Sequence, residues 1–164
     1  MKRILLLLAA LALSTVAAGT LKAQAMTQAS PFLGTWKLNV EKSKVTGIPL
    51  PKSLTRVVAA QDGGTKFSYK GIAADGSPID YSFVTNYDGK DSAVTGSGAP
   101  AGTDAIAIKR ISAYKAEAIL KKGGKEIGKT TAEVSKDGKV TTLTGSGKTP
   151  DGKDYKAVTV YDKQ

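Results

Sequence analysis

Two arginines and four tyrosines are the side chains whose type and spacing point to binding chemistry. Arg110 follows Ile106 and Ile108 at period two, and Arg56 falls in phase with Leu54 and Val58. In a strand, that spacing turns a guanidinium toward the face that carries the apolar residues. A buried, unpaired guanidinium is expensive, so either arginine needs an anion or several acceptors. For Arg110 an anionic ligand group would serve. So would an Asp or Glu of a neighbouring strand, or a bulge that turns the side chain outward. Tyr69, Tyr81, Tyr114 and Tyr161 also fall on apolar phases. An apolar ring with a polar tip suits a ligand cavity in which a few hydroxyls orient a greasy molecule, and equally a filled core. The ligand-binding candidates are therefore Arg110, Arg56, Tyr69, Tyr81, Tyr114 and Tyr161.

Other chemistry is removed by composition. The 164 residues contain no histidine and no cysteine. Disulfide support, His-dependent triads and the usual ligands of zinc, copper and iron are all excluded. Asp80, Asp104, Glu117 and Glu126 are scattered, without the paired spacing of a glycosidase or a nucleophile signature. The expectation is a protein that is not an enzyme, with no catalytic residues, no metal and no cofactor.

The elements that must position these side chains read as strands. Asp62-Gly63, Asp75-Gly76 and Asp88-Gly89 recur every thirteen residues, and Asp137-Gly138 and Asp151-Gly152 are fourteen apart. Asp-Gly between alternating apolar residues marks a hairpin, because the turn needs positive φ. Between the turns the alternation holds. Phe67 shares a face with Tyr69, Ile79 with Tyr81 and Phe83, and Tyr155 with Ala157, Thr159 and Tyr161. Residues 41–53, with Pro49, Pro51 and Gly47, read as a loop. No helix is convincing. The predicted fold is all-β, an antiparallel up-and-down meander closed into a barrel of 8–10 strands. One repeat stands apart. Asp88-Gly-Lys90 precedes Thr95-Gly-Ser-Gly98 as Asp137-Gly-Lys139 precedes Thr144-Gly-Ser-Gly147, and the expectation for both copies is a bulge or bend at a barrel corner.

Residues 1–25 read as a cleaved signal peptide. Lys2 and Arg3 precede an apolar run from Ile4 to about Ala18, and Ala23-Gln24-Ala25 forms a small-x-small cleavage site. Residues 26–164 form the single domain, expected to be exported and periplasmic or secreted. The apolar run is too short for a membrane span, so an integral membrane protein is not expected. The whole chain carries a formal charge of +10; removing Lys2, Arg3 and Lys22 leaves 21 basic residues and an excess of +7. Only Arg56 and Arg110 of those are arginine, and a dispersed, lysine-dominated excess argues against nucleic acid as a partner.

The two ends together resemble the calycin superfamily, the lipocalins and intracellular fatty-acid-binding proteins. Phe32-Leu-Gly-Thr-Trp-Lys-Leu38 is similar to the Gly-x-Trp opening of that group, and Val160-Tyr161-Asp162-Lys163 to the closing strand of the fatty-acid-binding branch. The Trp-Lys-Leu-Asn start, the Lys109-Arg110-Ile111 strand and the Lys-Gly-Gly and Lys-Asp-Gly turns resemble exported bacterial lipocalin-like proteins. The resemblance implies a barrel whose closed end is plugged by Trp36 and whose open end admits a small ligand. Two features depart from the fatty-acid-binding branch. Residues 41–53 leave no room for its helix-turn-helix lid, and Thr159 stands where it carries an Arg for the ligand carboxylate. Two functions follow as expectations. One is an exported binder or carrier of a small hydrophobic or amphipathic ligand, and the other is a ligand-free envelope protein acting through its cationic outer surface.

Overall fold

A computed structural model describes residues 30–164. The expected signal segment, and the expected mature start at Met26, lie outside the described residues. Eleven strands follow one another: β1 (Gly34–Thr46), β2 (Ser53–Gln61), β3 (Gly64–Ile72), β4 (Pro78–Thr85), β5 (Asp88–Ala93), β6 (Thr95–Ser97), β7 (Ala105–Arg110), β8 (Lys115–Lys122), β9 (Lys125–Val134), β10 (Val140–Lys148) and β11 (Asp154–Lys163). A single 3₁₀ turn at Pro100–Gly102 is the one helical element among the described residues.

All pairings are antiparallel, and β11 returns to β1, with Trp36 opposite Lys163 and Leu38 opposite Tyr161. The spatial order begins with β5 and ends with β6. These two are halves of one strand interrupted at Val94. β5 pairs with β7 through Ala93 and Ala105, whereas β6 pairs with β4 through Gly96 and Tyr81. The strand thus serves both ends of the sheet, and the meander becomes a ten-stave antiparallel barrel. Asp62-Gly63, Asp75-Gly76, Asp137-Gly138 and Asp151-Gly152 all lie in turns, as the spacing predicted.

Two boundaries differ from the sequence reading. Asp88-Gly89 does not make its hairpin turn. Asn86 and Tyr87 connect β4 to β5 instead, without a hairpin ladder between the two, with Tyr87 at φ 57°, and Asp88 already belongs to β5. The segment read as a loop from residue 41 is instead strand as far as Thr46, carried through a bulge between Asn39 and Lys44. Inside the bulge the Ser43 hydroxyl donates to the Asn39 carbonyl at 2.6 Å and accepts from Val160 N–H at 3.0 Å. A side-chain oxygen replaces the lost ladder partner, so the charged and polar residues 41–44 extend the strand without orphaning the backbone.

The repeated Thr-Gly-Ser-Gly occupies β6 with its exit, and β10. A Cβ at Gly96 would run into the carbonyl of Asp80, and one at Gly147 into the carbonyl of Ile127. The repeat therefore lets neighbouring strands approach backbone to backbone, a demand that recurs where a barrel bends.

One end of the barrel is plugged. Phe32 and Trp36 are fully buried there, and the Trp36 indole N–H donates to the Phe32 carbonyl at 3.0 Å. The Lys163 ammonium lies 5.0 Å from the Trp36 ring centroid. Its stem passes so close to Gly34, at φ 129°, that a Cβ there would sit 2.7 Å from Lys163 Cε. Glycine at that position answers two demands, a left-handed backbone and room for the covering lysine.

Candidate functional site

The barrel is hollow. A cavity of about 380 Å³ runs through its interior. At the end away from Trp36 it meets the β1–β2 loop with Ile48, Pro49 and Leu50, the β3–β4 turn with Ala73 and Ala74, and the segment Ala99 to Ala101. The space exists because the two walls differ in bulk. β3 and β4 present Phe67, Tyr69, Ile79, Tyr81 and Phe83, whereas β8 to β11 intersperse the small Ala116, Ala118, Ala132, Gly145 and Ala157 among Leu120, Leu143, Tyr155 and Tyr161. Small inward residues leave unfilled what larger ones would occupy.

The polar groups converge deep in this cavity. The strand register sets Trp36, Arg56, Tyr69 and Tyr81 in one row across β1 to β4. Tyr161 enters from β11, one alternation higher, opposite Leu38. Arg56 is 1% exposed. Its guanidinium lies 5.5 Å from the Phe67 ring centroid and 6.0 Å from that of Trp36. Its Nε–H finds no acceptor, and no carboxylate pairs with it among the described residues. The Tyr69 and Tyr81 rings stack with centroids 4.5 Å apart.

Burial raises the pKa of Tyr69, Tyr81 and Tyr161, and the Arg56 charge only partly offsets it. Tyr81 is raised further by the proximity of Tyr69 and Tyr161. Loss of water around a phenolate outweighs one nearby cation. The phenols therefore stay protonated and can donate. A guanidinium with protonated phenols around it, in an otherwise apolar cavity, is a set of donors suited to an anion.

Four of the six expected residues, Arg56, Tyr69, Tyr81 and Tyr161, line the cavity together. Arg110 and Tyr114 do not, and the structure corrects both positions. Arg110 keeps the phase of Ile106 and Ile108, but it is the last residue of β7. There the interior is occupied by the plug. The guanidinium stacks 3.9 Å from the Tyr87 ring centroid and 4.8 Å from that of Phe32, and donates to Ser30 Oγ at 3.2 Å and the Ala113 carbonyl at 3.4 Å. Tyr114 lies in the β7–β8 turn and is exposed.

Two cavity-lining tyrosines were absent from the expected set. Tyr155 sits on the predicted inward face of β11 near the mouth, so its alternation with Tyr161 was the available signal. Tyr87 enters from the displaced turn, its hydroxyl buried without a partner, and no periodicity announced it. Among the described residues no cluster of three or more His, Cys, Asp or Glu could hold a metal ion.

No family model matches the sequence, and no curated protein does. Solved structures with a similar course of chain include zebrafish ileal bile acid-binding protein complexed with cholic acid, at 13% identity and TM-score 0.45, covering 82% of this chain and 100% of that one. Rv2717c from M. tuberculosis is 15% identical with TM-score 0.49, over 82% of this chain and 94% of its own. The siderocalin Ex-FABP is 10% identical with TM-score 0.35, over 82% and 71% respectively. The chemistry of the cavity stands on its own residues.

Proposed function

We propose that this chain is an exported, non-enzymatic binder or carrier of a small, mostly apolar molecule bearing one anionic group, held inside a calycin-like barrel. The observation that carries the reading is Arg56, a buried guanidinium without a protein counter-charge in a cavity of about 380 Å³. Arginine does not deprotonate, and an isolated charge in such surroundings costs several kcal/mol. An acidic head group would offset that cost, and the Ala- and Gly-lined wall leaves room for the apolar body. Of the scattered carboxylates, Asp80, Asp104 and Glu126 form surface ion pairs with Lys70, Lys122 and Lys129, and Glu117 borders the cavity. The outer face is charged as well. Lys115 pairs with Glu133 and Lys121 with Asp91, groups that would be costly against lipid.

A fluorescent fatty-acid displacement assay tests the proposal. Arg56→Leu should weaken an amphipathic anion ten- to a hundredfold, about 1.5–3 kcal/mol for a lost charge-assisted contact. Stability should hold or rise, because an apolar side chain replaces an unpaired charge. Unchanged affinity would remove Arg56 from the site. No binding by the wild type would sink the carrier reading and favour the cationic outer surface. Export has its own check, since mass spectrometry of protein from its native envelope should find a chain starting at Met26. An intact Met1 in a membrane pellet would reject it.

A further inference from the structure

We propose that the unliganded barrel holds a small, weakly hydrated inorganic anion, of the chloride or bromide class, against Arg56. This deepens the preceding reading, since it takes the same guanidinium as the anion site, but it requires no organic ligand. Arg56 is 1% exposed, and a guanidinium in that position is five donors with no acceptor of its own. The Nε–H points at no acceptor, and the ion pairs among the described residues all lie on the outer surface. The polar neighbours Tyr69, Tyr81 and Tyr161 are phenols that remain protonated and add donors. A cation with Tyr69 and Tyr81 in register on the neighbouring strands, and with Trp36 and Phe67 excluding water from one side, lacks a negative partner.

When no organic acid is bound, that partner must come from solution. A water in the cavity can accept from a guanidinium but leaves the charge uncompensated in low dielectric, where the attraction for an anion is strongest. The anion must shed most of its hydration to enter a cavity walled by Ala, Phe and Leu. Chloride and bromide lose less on dehydration than fluoride or sulfate, so the site should rank them above those two. Binding of an organic acid then becomes an exchange, in which the inorganic ion leaves as the head group arrives.

Thermal unfolding at constant ionic strength, with fluoride replaced stepwise by chloride, tests this on wild type and Arg56→Met. The wild-type midpoint should rise with chloride, and the variant should respond equally to both salts. In the displacement assay the apparent Kd of the fatty-acid probe should grow linearly with chloride, about elevenfold at ten times the chloride Kd. Bromide-soaked crystals give a readout that needs no variant, an anomalous peak in the cavity against the Arg56 guanidinium. The proposal is overturned if Arg56→Met shows the wild-type chloride response, or if bromide occupies surface lysines only. The two proposals fail separately. A chloride response without organic-acid binding removes the carrier and keeps the ion, whereas organic-acid binding indifferent to chloride does the reverse.

Discussion

Replacing Arg110 separates the structural arginine from the binding one. The guanidinium sits over two rings, 3.9 Å from the centroid of Tyr87 and 4.8 Å from that of Phe32. A cation–π contact contributes about 0.5–1 kcal/mol when exposed and about 2 when desolvated, and here one half-buried cation is shared between two rings. The hydrogen bonds to Ser30 and Ala113, at 3.2 and 3.4 Å, are long and add little. Arg110→Leu keeps an apolar cover on the same rings. The expected loss is therefore about 1–2 kcal/mol, a drop of roughly half to one molar in the urea midpoint. Because Arg110 does not line the cavity, the affinity for an amphipathic anion should stay within about twofold, under 0.5 kcal/mol. Urea unfolding followed by Trp36 fluorescence, with probe displacement on the same preparations, checks both numbers. A tenfold loss of affinity with unchanged stability would mean that Arg110 reaches the cavity and that the closed-end stack is wrong. Set beside Arg56→Leu, the pair should show opposite effects, since one arginine holds the plug and the other faces the space above it.

Trp36→Ala should cost about 3–5 kcal/mol by chemical denaturation, as a fully buried ring that also anchors the Phe32 carbonyl; a loss below about 1 kcal/mol would refute its place in the plug. Alkaline titration should expose the cavity phenols. Burial raises the folded pKa of Tyr69, Tyr81 and Tyr161 above the ordinary 10.0, so their contribution to stability is intact below about pH 10 and is lost as pH climbs toward the folded values. Phenolate absorbance from these residues should appear together with loss of the native Trp36 signal. Smooth ionisation near pH 10 in an intact barrel would show that water reaches them freely.

The linear chain determined the meander. Alternation at period two and Asp-Gly turns were enough to predict antiparallel hairpins, and Trp36 beside the last strand followed from the two end motifs. Inward faces such as Phe67 with Tyr69, or Ala157 with Tyr161, were legible because side-chain direction is local to a strand. Depth is not local. Arg56 and Arg110 carry the same phase signal, yet one faces the cavity and the other the plug, because depth depends on strand tilt, register and where Phe32 crosses the barrel end. The strand divided between β5 and β6 was equally hidden, since a shared partner is a property of closure. So was the cavity. It depends on the small alanines and glycine interspersed on β8–β11 facing the aromatic wall of β3–β4, and those residues meet only after the sheet has curled. Alternation gives each side chain its side of the sheet, while the closed barrel alone decides what stands opposite it.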